Sequence, residues 1–332
     1  ELLLVVNTGS VMEDDDQQGL AHFAEHMAFN GTEKFPKQDL VDYLELIGMQ
    51  FGPDLNAYTS FDETVYMLQV PTENKETVDK GFEILSQWAN YITFDDDEID
   101  KERGVIVEEW RLRRGAQARL RDKKLPIYFK GSKYAERSPI GKMEIVENFE
   151  YDVIKRFYKD WYRPDLMAVV AVGDVSVEDV EGYIKKHFSI IESVENSRER
   201  NIEKVPSFDN YRVAIASDPE LPMPSVSVTY FLETDDTMDE MSSYKKNLMQ
   251  YMVREMLNVR LSDLTKVDDP DLIYAGSYDA GRYIRDKRMF GIYGGVQENK
   301  IKEGFASIVR EIERIIRHGY TKSEFERVKA KI

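Results

Sequence analysis

Three residues with side chains suited to metal binding and proton transfer lie within five positions near the start of the chain. His22, Glu25 and His26 stand in the stretch Gly19-Leu-Ala-His-Phe-Ala-Glu-His-Met-Ala-Phe-Asn-Gly-Thr32, and the whole chain has four histidines. On an α-helix these positions are i, i+3 and i+4, so the three side chains project from one face. Two imidazoles one turn apart suit zinc, and a carboxylate that does not bind the metal can take a proton from water.

The residues around this motif also contain signals for the start and the end of a helix. The acidic run 14–16 is predicted to cap its start, and Asn30-Gly31 is predicted to end it. The order His-x-x-Glu-His is the inverse of the common metalloprotease helix motif. A short motif has chance matches, so the spacing alone leaves open a surface helix without a metal.

A tetrahedral zinc site needs a further protein ligand, and the chain has no cysteine to supply it. A long helix is predicted from about Glu98 to Lys123. On it Glu102 and Glu109 are seven residues apart, about 700° around the axis, so they point nearly the same way. Val105 and Leu112 share this otherwise apolar stripe, and buried carboxylates need partners. The spacing leaves open a metal ion or ion pairs with arginines of the same helix. These arginines are Arg103, Arg113 and Arg114.

Composition limits the classes of protein to which the chain can belong. Its 332 residues are 42% hydrophobic and 32% charged, as expected of a soluble globular protein with about two domains. No apolar run approaches the roughly 20 residues that span a bilayer. The formal charge of −17 disfavours non-specific binding to nucleic acid or anionic membranes and mildly favours basic partners. Without cysteine, any metal must be held by His, Asp or Glu.

The order of predicted elements indicates two copies of one structural unit. The elements expected in the first copy are a strand at 1–11, the histidine helix, helices at 37–47 and 77–91, a β-hairpin at 51–70, the long helix, a helix at 151–161 and a strand at 167–172. A polar stretch at 192–205 is the best linker candidate. The predicted domains are therefore 1–195 and 206–332, joined by a linker at 196–205.

The second copy is predicted to repeat the same order without the histidine motif. Strands at 226–232, 272–278 and 289–296 and helices at 241–261 and 301–317 precede a last helix. Aligning that helix with the long helix of the first copy pairs Glu324 with Glu98 and Ile332 with Ile106. On this alignment the second copy is truncated, and the chain is expected to be a fragment of a longer protein at both ends.

Three blocks of residues resemble the landmark motifs of the pitrilysin, or insulinase, family of zinc peptidases. They are the histidine stretch 19–32, the segment Leu55-Asn-Ala-Tyr-Thr-Ser60, and Glu102-Arg-Gly-Val-Ile-Val-Glu-Glu109. The chain is most similar to the large bacterial members. The resemblance implies an α+β fold of repeated units, each a mostly antiparallel sheet backed by helices, as in the mitochondrial processing peptidase. It also implies that paired units close into a chamber.

The resemblance assigns roles to particular residues. His22, His26 and Glu109 correspond to the ligands of one Zn²⁺ per chain, Glu25 to the general base, and Glu102 to a second carboxylate that supports catalysis. Asn56, Ala57 and Tyr58 correspond to the substrate-facing edge strand, where a peptide adds by main-chain hydrogen bonds. The later Arg and Tyr with which family members hold substrate have no segment assigned to them in this chain, so the resemblance leaves open whether the fragment alone is active.

The resemblance predicts a zinc endopeptidase that acts on peptides or flexible polypeptide segments. Its partners would be those substrates and a C-terminal half of the same protein, or a partner subunit, that closes the chamber. The subgroup favours a bacterial periplasm or cell envelope and leaves the cytoplasm open. A non-catalytic chamber or scaffold subunit of the same family is the main alternative. The thioether-cleaving enzyme of quorum-signal synthesis has a similar motif but needs a cysteine, which this chain lacks.

Overall fold

The computed structural model of the protein divides into two compact units, Glu1–Ala216 and Ser217–Ile332. The described residues are 1–37, 39–46, 49–50, 52–208, 210–234 and 239–332. The helix predicted at 37–47 and the hairpin predicted to begin at 51 each extend onto residues outside these ranges. The division into domains 1–195 and 206–332 stays a prediction, and the residues of its linker lie inside the first unit.

The first unit contains an antiparallel sheet in which the described strands follow the order β2-β3-β1-β4. The strands are β1 (Leu2–Val6), β2 (Leu55–Thr59), β3 (Thr64–Leu68) and β4 (Met167–Ala171). In β1, Leu2, Leu4 and Val6 are buried while the residues between them are only partly buried, as expected for a strand with one face on the core. Within the described chain β2 pairs with β3 alone, so it is an edge strand.

The described part of the first unit also contains α-helices, of which the first and third contact the strands of this sheet. The helices are α1 (Leu20–Met27), α2 (Asp39–Leu46), α3 (Lys75–Asn90), α4 (Asp96–Arg113), α5 (Ala116–Tyr128), α6 (Met143–Val146), α7 (Tyr151–Trp161) and α8 (Val177–Phe188). The long helix predicted at 98–123 was wrong in its length. It ends at Arg113 and α5 begins after Gly115, because the backbone of Arg114 leaves the helical region and Arg119 hydrogen-bonds the freed Arg114 carbonyl.

The second unit repeats the topology of the first, as the sequence predicted. Its elements are β5 (Ser225–Glu233), α9 (Glu240–Leu264), β6 (Tyr274–Ile284), β7 (Lys287–Gly295), α10 (Ile301–His318) and α11 (Lys322–Lys329). The described sheet has the order β5-β7-β6, with antiparallel pairs throughout. Strands β5, β6 and β7 thus take the places that β1, β2 and β3 take in the first unit. The predicted α+β fold class is confirmed.

The core of the first unit holds α1 from both sides. The Trp88 indole of α3 donates to the Ala28 carbonyl just after α1 at 2.9 Å, and Phe23 of α1 packs edge-on against Phe149. At the other end of α1, Gly19 has φ +107° and lies against Gly141, whose φ is +77°. None of the helices in the described ranges is long and apolar enough to cross a bilayer.

The two glycines at the start of α1 give a stability prediction. A Cβ on Gly141 would overlap the Cα of Gly19, and its positive φ strains any L side chain. Gly141→Ala is therefore expected to lower the free energy of unfolding by at least ~2 kcal/mol. Gly104→Ala on the exposed face of α4, where an added Cβ meets nothing within 4 Å, should raise it by ~0.5–1 kcal/mol. Urea unfolding followed by circular dichroism measures both, and equal effects would contradict the account.

Candidate metal centre

The start of α1, the helix that carries the histidines, differs from the prediction. Gly19 is its N-cap, and the Glu13 carboxylate accepts hydrogen bonds from the Gly19 and Ala21 amides at 3.0 and 2.9 Å. The prediction that the acidic run 14–16 caps this helix was wrong, because Asp14 instead caps a separate short 3-10 turn with Gln17. Glu13 is fully buried, and burial raises its pKa to about 8 although the backbone hydrogen bonds oppose the shift.

One face of α1 meets one face of α4. The His22 Nε2 atom lies 3.7 Å and the His26 Nε2 atom 3.4 Å from Oε2 of Glu109. The two imidazoles stand edge to face with ring centroids 4.6 Å apart. The structure thus brings together the three residues that the sequence proposed as metal ligands, from helices more than 80 positions apart in the chain.

The donor set fits a zinc ion. One ligand atom from each of His22, His26 and Glu109 lies within 4.8 Å of the other two. Tetrahedral ligands at zinc bond lengths of ~2.0–2.2 Å would stand roughly 3.3 Å from each other, so small side-chain shifts close the site. Arg113 binds the other oxygen of Glu109, Oε1, at 2.8 Å and leaves Oε2 toward the imidazoles. Two neutral imidazoles and one carboxylate are a common donor set of catalytic zinc sites.

Glu102 lies behind His26 rather than beside the other donors. Its carboxylate pairs with the His26 Nδ1 atom at 2.7 Å and accepts from the Asn30 side-chain amide at 2.6 Å. A carboxylate on Nδ1 fixes the tautomer that presents Nε2 to a metal. Of the arginines that the spacing left open as ion-pair partners, Arg113 does pair with Glu109. Arg103 instead binds Asp100 and two backbone carbonyls.

The charges of the site shift the pKa values of its members in opposite directions. Burial and the neighbouring His26 lower the pKa of His22 to about 3. Burial alone would lower the pKa of His26, but its hydrogen bonds with Glu102 and Glu109 outweigh burial and raise it to about 9. The hydrogen bond with His26 lowers the pKa of Glu109. The two carboxylates therefore favour the protonated form of His26, so metal binding to His26 competes with a proton.

Glu25 lies on the same face of α1 and is buried. Burial raises its pKa, which suits a general base that must later give the proton away. The hydroxyl of Thr59 donates to Glu25 Oε2 at 2.6 Å. Thr59 is the last residue of β2, so this hydrogen bond joins the base to the edge strand.

The three residues proposed for substrate contact lie along the same edge strand. Asn56 and Tyr58 are exposed and Ala57 is half-buried. Side-chain hydrogen bonds hold both exposed residues locally, from Asn56 to the Gly52 carbonyl and from Tyr58 to Glu63 at 2.9 Å. Their position on an unpaired edge agrees with peptide addition, and their role in substrate binding stays a prediction.

Sequence reasoning about this face missed several features. The stripe through Val105 and Leu112 is not buried, since these side chains are 51% and 85% exposed. The two carboxylates are held by polar contacts with the imidazoles, Asn30 and Arg113. The supporting roles of Glu13, Asn30 and Thr59 were also missed, whereas Arg113, which pairs with Glu109, was among the arginines that the sequence named as ion-pair partners. Of the three missed residues, only Asn30 carried a signal, because it lies four residues after His26 and would share its face if the helix continued.

Comparisons with known proteins identify the family. Residues 1–126 match the family model described as insulinase, peptidase family M16, and residues 148–332 match the one described as the M16 inactive domain. The chain belongs to the M16 peptidase family. The probable zinc protease PqqL of Haemophilus influenzae is 37% identical over 276 residues, which are 83% of this chain and 30% of that protein. The zinc protease PQQL-like protein of Arabidopsis thaliana is 34% identical over 94% of this chain and 32% of its own length.

A solved M16 structure has the same fold. The crystal structure of the first half of the periplasmic protease PqqL from Escherichia coli matches with a TM-score of 0.87 and 29% identity. The match covers 99% of this chain and 70% of that one. The chain spans about a third of the length of the curated relatives it matches. The predicted family and the expected resemblance to large bacterial members are confirmed.

Glu102 gives a prediction about metal affinity. Glu102→Gln keeps the shape of the side chain but weakens its hydrogen bond with Nδ1 of His26. Loss of such a supporting carboxylate costs ~10–100-fold in metal affinity. We expect the zinc dissociation constant to rise by that factor, as measured by competition with a chelating dye, while saturating zinc still binds one per chain. Glu108→Gln, at an exposed position on the same helix, is the control, and equal affinity in both variants would contradict this role.

Proposed function

We propose that this chain is the zinc-bearing part of an M16 endopeptidase that hydrolyses peptides or flexible polypeptide segments. The observation that carries the proposal is the convergence of His22, His26 and Glu109 within 4.8 Å of one another. Glu25 lies on the same helix face, and Glu102 supports His26 from behind. If the histidines had no role and lay on a surface helix, these side chains would not be buried and two carboxylates of α4 would not contact them.

In this proposal the side chains of the site have different roles in peptide hydrolysis. His22, His26 and Glu109 would hold the zinc ion, which polarises a carbonyl and lowers the pKa of water when bound. Glu25 accepts the proton of the attacking water. Glu25 then gives the proton to the amine that leaves when the peptide bond breaks.

The edge strand β2 would hold the substrate. An extended peptide adds to its free edge by main-chain hydrogen bonds, beside Asn56, Ala57 and Tyr58. Thr59 is the last residue of this strand, and its hydroxyl binds Glu25. The residue that orients the proposed base therefore also forms the end of the strand that would bind the peptide. This connection would place a peptide bond at a constant distance from Glu25.

Completion of the active site would need a further part of the enzyme. The Escherichia coli structure described as the first half of PqqL matches nearly all of this chain, which supports a second half in the same protein or a partner subunit. That half would supply the remaining substrate contacts and close a chamber. The same relative is described as periplasmic, and we propose that location here.

A non-catalytic subunit is the second candidate. It is favoured by the match of residues 148–332 to the M16 inactive domain. A scaffold, however, gains nothing from a buried base on the same face as three converging zinc donors. The two candidates differ in whether Glu25 matters for turnover once the second half is present.

Glu25 provides the decisive variant for the proposed function. Glu25→Gln keeps the hydrogen bond from Thr59 but cannot take a proton. We expect the full-length enzyme to keep about one zinc per chain and to lose ~10²–10⁴-fold in kcat toward an unstructured peptide. Mass spectrometry of peptide products and elemental analysis measure the two quantities. Unchanged turnover in this variant would exclude Glu25 as the base.

Thr59 tests the positioning of that base. Thr59→Val removes the hydroxyl with little change in volume, and we expect kcat to fall ~10-fold because Glu25 loses a hydrogen bond worth ~1.5–3 kcal/mol. Thr59→Ser should restore most of the activity, and KM should change little. In an enzyme that already carries Glu25→Gln, the same valine change should have no further effect. An equal loss in both backgrounds would show that Thr59 acts only on the stability of β2.

A further inference from the structure

A strongly basic segment follows the proposed zinc ligand Glu109 in an acidic protein. Residues 111–124, Arg-Leu-Arg-Arg-Gly-Ala-Gln-Ala-Arg-Leu-Arg-Asp-Lys-Lys, carry seven basic side chains and one acidic side chain. The segment therefore has a formal charge of +6 while the whole chain has −17. We call residues 111–124 the basic segment.

The basic segment begins at the metal centre itself. Arg113 binds Glu109 at 2.8 Å, one helical turn beyond the proposed ligand. The guanidinium of Arg114 lies 4.3 Å from the centroid of the Trp110 ring. Arg119 donates to the Arg114 carbonyl at 2.7 Å, which folds the start of α5 back onto the end of α4. The positive charge thus extends from the zinc donors along the surface of α5.

Much of this charge is available to a ligand. Arg114 and Arg121 are exposed, and neither makes an ion pair with any residue in the described part of the chain. Arg111 is paired with Glu108, but both side chains are 61% exposed, and such surface pairs contribute little. Leu120 and Leu125 pack inward, so the buried side of α5 anchors it while Arg121 and Lys123 are exposed.

We propose that the basic segment selects acidic peptide segments for the metal centre, and this inference rests on the proposed function. Local charge at a site steers ligands more strongly than the net charge of the protein, because charges beyond about 8–10 Å are screened at physiological salt. The net charge of −17 alone suggested basic substrates. The proposal replaces that expectation with acidic substrates. Nucleic acid is the less favoured anion, because the segment follows directly after a proposed zinc ligand and Arg113 contacts that ligand.

Binding of matched peptides tests this selection without any need for turnover. The probes are two fluorescent peptides that differ only in carrying several Glu or several Lys residues. They are titrated into the zinc-loaded chain with Glu25→Gln, so that binding is read by anisotropy and nothing is cleaved. We expect the acidic peptide to bind at least ~10-fold tighter at about 50 mM salt, and the difference to disappear at about 500 mM salt. Equal affinities at low salt would overturn the proposal.

Charge-reversal variants assign the effect to the basic segment. Arg114→Glu with Arg121→Glu should weaken binding of the acidic peptide ~10-fold and strengthen that of the basic peptide. The matched control is Lys159→Glu with Lys185→Glu, at exposed positions of α7 and α8, which changes the net charge equally. The control should leave both affinities unchanged. An equal loss in both double variants would refute a role for this segment.

Two further results separate this inference from the proposed function and from nucleic-acid binding. Acidic-peptide selectivity in an enzyme that never cleaves would refute the proposed function and leave the selectivity in place. Cleavage without any charge preference would refute the selectivity alone. If single-stranded RNA binds through Arg114 and Arg121 while neither peptide does, the segment serves nucleic acid and the inference fails.

Discussion

The contact between two imidazoles of α1 and two carboxylates of α4 is the interaction on which the first unit is organised. Glu102 hydrogen-bonds the far side of His26, and Glu109 faces both histidines from the near side. Buried charges are costly unless they are paired. The contact therefore fixes how α1 and α4 are rotated about their own axes. It thereby also fixes the positions of the site residues. A proton on His26 satisfies this arrangement in the metal-free chain, and a zinc ion would satisfy it in the enzyme.

The second unit shows how the same topology is held together without a metal. There α11 lies against α9 as α4 lies against α1, and Arg260 of α9 binds Glu324 of α11 and Glu311 of α10. On the alignment that pairs Glu324 with Glu98, Val328 takes the place of Glu102, and Val328 is buried. Within this unit ion pairs join the helices, and an apolar side chain stands at the position that Glu102 has in the first unit. This agrees with the match of residues 148–332 to an inactive domain.

The sequence predicted the parts of this structure that depend on local periodicity. The i, i+3, i+4 spacing on α1 and the seven-residue spacing on α4 predicted which side chains share a helix face, and the family resemblance chose the proposed zinc ligands among them. The repeat predicted the order of elements in the second unit. It could not predict Glu13 as the cap of α1 or Thr59 as the partner of Glu25, because these contacts join residues that only tertiary packing brings together. The break at Gly115 was missed because the charge pattern continues through it.

Zinc content of the purified chain, measured by elemental mass spectrometry beside the Glu109→Gln variant, tests the central claim most directly. The account predicts about one zinc per chain, lost in the variant while the circular dichroism spectrum is unchanged. Zinc that remains in the variant would show that Glu109 is not a ligand. A chain that takes up no zinc in zinc-replete medium would contradict the claim that His22, His26 and Glu109 form a metal site by themselves.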